Sequence, residues 1–167
     1  MTAIWAVFIL DHVIPLQQYG LEPRRLSGLS GIAAMPFLHG GLNHLVSNTV
    51  PLLVLLMLLA GSRARSWLIV LTIVLLSGGL LWVFGRPALH VGASALIFGL
   101  AAFLLVSGVL ERRFLPLAIS VLVGLLYGST LLWGILPTVK GVSWDGHLCG
   151  MIAGILTASW LKPRSQL

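Results

Sequence analysis

The sequence predicts an all-α polytopic membrane protein: a bundle of six transmembrane helices formed by one domain over residues 1–167. Three observations carry this. Of the 167 residues 58% are hydrophobic and 8% charged, against about 25% charged in soluble domains, whose surface must face water. Mean hydropathy is +1.05, and ten Lys and Arg with four Asp and Glu are too few to clothe a water-facing surface. Apolar runs of near-span length also alternate with short gaps that hold most of the charge. The solvent of this chain is largely lipid.

A crossing helix needs about 20 apolar residues, and six segments approach that. The first covers Thr2 to Ile14, is short, and reaches the interface at Asp11 and His12 before Pro15 closes it. No basic n-region or A-x-A-like cleavage site accompanies it, so it reads as a retained span and not as a removed signal peptide. The second runs from Gly41 to Ala60 and stops at Gly61-Ser62-Arg63-Ala64-Arg65; the third runs from Ser66 to Phe84 and stops at Gly85-Arg86-Pro87. The fourth opens near Ser94 and ends before Glu111-Arg112-Arg113; at about 16 residues it is expected to fall short of a full crossing. The fifth covers Phe114 to Trp133. The sixth covers Gly146 to Trp160, and a polar tail over 161–167 follows.

Between the first two spans, residues 16–40 mix Leu, Ile, Met and Phe with Gly, Ser and Arg. This composition fits an interfacial loop with short helical pieces.

The net charge of +6 would point to nucleic acid in a soluble protein. Here the basic residues sit in gaps between spans, where they orient the chain, and no basic tract with interleaved aromatics offers a nucleic-acid interface. With six spans both termini share one side. Arg63, Arg65, Arg112, Arg113, Lys162 and Arg164 fall there, against Arg24, Arg25, Arg86 and Lys140 opposite, which places both termini in the cytoplasm by the positive-inside bias. The compact form with little extramembrane mass suggests a bacterial inner membrane. Cys149 is the only cysteine, which rules out an intrachain disulfide and a thiolate metal site; between Leu148 and Gly150 it reads as packing.

Polar residues inside spans are expensive and mark function by default. Three groups stand out, each near the same membrane face. His44 and Asn48 are four apart and share one helix face, either as bonds to neighbouring helices or as parts of a site. Ser94, in His90-Val91-Gly92-Ala93-Ser94, opens a helix, where a serine is ordinarily an N-cap. Gly92 nevertheless allows close backbone approach, and helix-start amides can serve an oxyanion. His147 opens the sixth span, beside the small-residue face Gly146, Gly150 and Gly154 that permits close helix contact. Together they supply a hydroxyl nucleophile, an imidazole base and oxyanion donors. No carboxylate is evidently placed to orient the imidazole, and Asp145 reads as a solvated loop residue, so the machinery would be a Ser–His dyad.

This set and order resembles the rhomboid family of intramembrane serine proteases: His44-x-x-x-Asn48, then Gly92-x-Ser94, then His147-x-x-Gly150-x-x-x-Gly154. The match runs from about His39 to Trp160. The resemblance implies Ser94 as nucleophile and His147 as general base. It implies an oxyanion hole from the Ser94 N–H, the Asn48 amide and the His44 imidazole, with Gly92 in the binding loop, and no metal or cofactor. It also implies a loop before Ser94 that dips into the bilayer, and a lateral gate and cap formed by the fifth helix and the loop Gly134 to Asp145. Transmembrane protein substrates and the lipid bilayer are the implied partners.

The chain departs from the family pattern in two respects. Ser30 and Gly31 stand where the first loop usually carries Trp-Arg, and Ala95 stands where Gly usually follows the serine. His39 matches a recurrent family position and is expected to brace the first loop. His90, Tyr127, Ser129 and Thr130 are candidates to line a wet cavity. Gly78-Gly79 and the pair Gly124 and Gly128 read as helix contacts.

Three other readings compete: an inactive relative that binds transmembrane clients, a small transporter, and a metal hydrolase built on His39, His44, His90 and His147. A transporter would need mid-membrane charge or broken helices, and the acidic residues lie at segment ends. A metal hydrolase would need a His-x-x-x-His or carboxylate-bearing motif, and the chain has neither.

Overall fold

The computed structural model describes residues 1–139 and 141–161, so the expectations that rest on Lys140 and on the tail from Lys162 onward lie outside the described residues. The described chain is all-helical, with no strand. Four helices are long and apolar enough to cross a bilayer: α3 (Leu42–Ser62), α4 (Ser66–Phe84), α5 (Ser94–Glu111) and α6 (Phe114–Gly134). A further helix, α7 (Trp144–Trp160), has 17 residues. These helices make up an integral membrane bundle.

The first and fourth segments of the expected six-span array differ from expectation. The first helix, α1 (Thr2–Leu10), has nine residues and rises about 14 Å, about half the hydrocarbon thickness. Its apolar sequence continues to Ile14, but the Asp11 carboxylate turns the chain there. Asp11 Oδ1 accepts from the Leu16 N–H at 2.7 Å and the Gln17 N–H at 3.1 Å, and Oδ2 accepts from the Gln17 side-chain amide at 2.7 Å. These bonds, led by the Gln17 amide, hold the Asp11 carboxyl below its ordinary range. The fourth segment is longer than expected: α5 has 18 residues, about 27 Å.

Helix α5 is the hub. Two thirds of its span window is buried (67%), against 22–28% for α3, α4 and α6. Small residues allow this, because backbones pack closely where no Cβ intervenes. A Cβ at Gly150 would collide with the Ala95 carbonyl, and one at Gly154 with the Gly99 carbonyl, so α7 lies directly on the α5 backbone. A Cβ at Gly108 would likewise strike Ser120 and the Pro116 carbonyl of α6, and Ser120 Oγ donates to Leu105 O at 2.9 Å. The far sides of these helices present apolar side chains to lipid; Phe114 is 89% exposed and Leu125 81%.

Residues 16–40 fold as short helical turns, including α2 (Gly31–Ala34), laid against the end of α4. Arg24 Nη1 donates to Val83 O at 3.1 Å and Gly85 O at 2.8 Å, satisfying carbonyls that a helix end leaves without partners. Trp82 Nε1 returns a bond to Arg25 O at 2.9 Å. Gly31, one of the three residues that depart from the family pattern, fits against the Leu21 backbone so closely that a Cβ would collide with it. Gly78 admits Ile32 of α2 in the same way, with a Cβ only 2.8 Å from Ile32 Cγ2, whereas Gly79 and Gly128 face open space. Of the pair Gly124 and Gly128, a Cβ on Gly124 would meet Leu105 of α5 at ordinary contact distance, 3.5 Å, and only Gly128 lacks the helix contact that their spacing suggested.

Candidate active site

The contact between α5 and α7 sets the site's register. With Gly150 on Ala95 and Gly154 on Gly99, one further turn towards the start of each helix brings His147 to the level of the loop that delivers Ser94. Ser94 is the first residue of α5, preceded by Ala93 at its N-cap. Its hydroxyl therefore is not the cap. The preceding loop is fixed by Gly92, whose N–H donates to Met35 O at 3.0 Å and whose φ of +115° disfavours any L side chain.

His44 and Asn48 share one face of α3, as their spacing predicts. Asn48 is buried, and its Nδ2 donates to His44 O at 2.7 Å. The His44 imidazole packs against Gly92, and its other neighbour is His39, at a ring-centroid distance of 5.2 Å in an edge-to-face arrangement. His39 is itself buried, with Nδ1 3.4 Å from Phe37 O and Nε2 without a partner among the described residues.

His147 is held from two sides. Phe98 of α5 stacks on its ring at 4.1 Å with 9° between planes. Its Nδ1 lies 2.8 Å from Gly134 O at the end of α6. A carbonyl only accepts, so this contact assigns the proton to Nδ1 and leaves the Nε2 lone pair available as a base. The oxygen that accepts this hydrogen bond lies at the C-terminus of α6, the electronegative end of the helix dipole.

Ser94, His147, His44 and Asn48 line one cavity of about 770 Å³, together with His90 and Tyr127. Thr130 joins this wall, and Ser129 is turned outward. Among the described residues no hydrogen bond joins Ser94 Oγ to His147. The cavity thus offers a hydroxyl at a helix start, an imidazole with a free nitrogen, and an amide and a second imidazole opposite.

Asp145 departs from its sequence reading. It lies on the first turn of α7 at 6% exposure, not in a solvated loop. Its Oδ2 accepts from the Arg86 N–H at 2.8 Å and its Oδ1 from Arg86 Nη2 at 3.1 Å. Its partner is 59 residues away in sequence, so no local spacing pointed to it.

A membrane-embedded helical bundle with serine, histidine and asparagine around one cavity defines the class. The chain belongs to the rhomboid family: residues 27–164 match the Rhomboid domain. An uncharacterized protein of Mycobacterium tuberculosis is 42% identical over 155 residues, 86% of this chain and 63% of that protein. One from Mycobacterium bovis has the same identity and coverage. One from Mycobacterium leprae is 38% identical over 175 residues, 97% of this chain and 68% of that protein. The chain thus spans 63% of the length of the M. tuberculosis and M. bovis relatives.

Proposed function

We propose that this chain is an intramembrane serine endopeptidase that cuts peptide bonds in or near transmembrane segments of other membrane proteins. The observation that carries the reading is the shared cavity, with Ser94 and His147 in its wall and the His147 ring fixed through Nδ1. His147 Nε2 takes the Ser94 proton as Oγ attacks the scissile carbonyl. The tetrahedral oxyanion meets the Ser94 N–H, the Asn48 amide and His44. His147 then gives its proton to the leaving amine, and a water, deprotonated by the same nitrogen, releases the acyl-enzyme. Resting catalytic hydrogen bonds are often long and tighten on substrate, which accommodates the unbonded Ser94 hydroxyl.

In this reading the bundle is the six-span form, with α1 and α7 as its first and last members and both termini cytoplasmic in a bacterial inner membrane. The stretch ahead of α7, with Gly141, Val142 and Ser143, caps the cavity, and α6 borders its lateral opening. The competing reading, a client-binding protein without catalysis, draws on the absence of a direct Ser94–His147 bond among the described residues.

Co-reconstitution with a single-span reporter, its span interrupted by glycines and small residues, separates the two. Proteolysis predicts a cut product lost in Ser94→Ala and in His147→Ala. A product that persists in Ser94→Ala contradicts the assignment, and an uncut reporter that co-purifies equally with wild type and Ser94→Ala supports client binding.

A further inference from the structure

The buried carboxylate of Asp145 has no part in the reaction above, although it stands two residues before the proposed base. It does not orient the His147 ring, whose Nδ1 is occupied by Gly134 O. Both of its oxygens are instead directed at the segment that leads into Ser94.

That segment, between the end of α4 at Phe84 and the start of α5 at Ser94, has no regular structure to stiffen it. Asp145 holds its beginning through the main-chain and side-chain nitrogens of Arg86. Ser143 Oγ donates to Asp145 Oδ1 at 3.2 Å and lies 2.7 Å from His90 Nδ1. His90 is buried, four residues before Ser94, and lines the cavity. Its Nε2 lies 3.2 Å from Arg86 O, and its backbone is paired with Leu21 in both directions, at 2.8 and 3.0 Å. The chain from Arg86 to His90 is thereby tied to the first turn of the helix that carries His147. A buried carboxylate is costly to desolvate and persists only with charge-assisted bonds on its oxygens. Here those bonds all fall on the serine loop and its cap.

We propose that Asp145 is a positioning residue. Through Arg86, Ser143 and His90 it holds the Ser94 loop in register with His147. This rests on the protease reading of Ser94 and His147. Reacting groups displaced by about 1 Å can lose on the order of 100-fold in rate, so loosening this tie slows chemistry at Ser94 without altering what the cavity binds.

The test is the kinetics of fluorophosphonate labelling of the detergent-purified chain, resolved into reversible affinity and the rate constant of the covalent step, with thermal melting run on the same samples. Asp145→Ala is expected to slow the covalent step by about 10- to 100-fold with reversible affinity and melting little changed. Asp145→Asn keeps an oxygen acceptor for the Arg86 N–H, though a weaker one than a carboxylate, and is expected to recover most of the rate lost in Asp145→Ala. Ser143→Ala deletes only the hydroxyl link and decides the matter if Asp145→Ala does not fold; it is expected to slow the covalent step with normal melting. A covalent step at the wild-type rate in the folded alanine variants overturns the proposal, as does a loss of rate that merely follows the loss of folded protein. Wild type that fails to label, or labelling that survives Ser94→Ala, overturns the protease reading itself.

Discussion

The imidazole of His44 stands where a side chain at position 92 would have to go. A Cβ built on Gly92 would lie 2.5 Å from His44 Cε1 and 2.6 Å from Nε2, at a φ of +115°. Gly92→Ala therefore combines backbone strain of about 1–3 kcal/mol with displacement of His44, a donor to the oxyanion in the proposed mechanism. Removing one such donor costs about 100- to 1000-fold in turnover. Reporter cleavage by Gly92→Ala is expected to fall by at least about 100-fold while the helical content measured by circular dichroism persists.

The contact of α5 with α7 makes a second prediction. Gly150→Ala places a methyl group against the Ala95 carbonyl, and overpacking of this kind costs about 1–3 kcal/mol. The melting temperature should drop and probe labelling with it, because separating the helices also separates Ser94 from His147. Gly128→Ala, on open space, should change neither.

Arg63 and Glu111 join the ends of α3 and α5 far from the cavity, with nitrogen and oxygen 2.6 Å apart and side chains 16% and 6% exposed. Sequence alone marked both as polar stops between spans. Arg63 also lies over the Phe103 ring at 5.7 Å. Removing one partner of a buried pair leaves an uncompensated charge and costs about 3–5 kcal/mol. Glu111→Ala should show this loss in denaturant unfolding from mixed micelles, whereas Arg63→Met with Glu111→Leu should recover most of it.

His39, in the loop ahead of α3, provides a pH dependence. Burial, aided by the neighbouring His44 and opposed by the bond to Phe37 O, lowers its imidazole from 6.5 to about 4. Between these values the unfolded chain binds the proton that the folded one refuses. The stability due to neutral His39 is complete above about pH 6.5 and is eroded as pH falls towards about 4. The melting temperature should decline from pH 7 to pH 5, and more shallowly in His39→Gln; equal slopes would refute the assignment.

Much of this arrangement was legible in the sequence because lipid enforces simple rules. The bounds of α4 and α6 follow from uninterrupted apolar runs. His44, Asn48, Gly92, Ser94 and His147 were conspicuous as polar or glycine positions at helix starts, and they line or adjoin one cavity. What was not legible depends on partners distant in sequence. Asp145 looked solvated because Arg86 is 59 residues away. The first loop looked deprived of its usual anchor, whereas bonds of Arg24 and Trp82 across nearly sixty residues hold it to the end of α4 and Gly31 packs on the Leu21 backbone. The first helix ended early because Asp11 binds the loop ahead of it, a tertiary effect that no apolar count contains.

The most direct measurement is fluorophosphonate labelling of the detergent-purified chain, comparing wild type with Ser94→Ala and His147→Ala beside a rhomboid protease of known activity. Wild type is expected to label and both variants to lose labelling. An unlabelled wild type beside a labelled control would contradict an activated serine and move the client-binding role ahead.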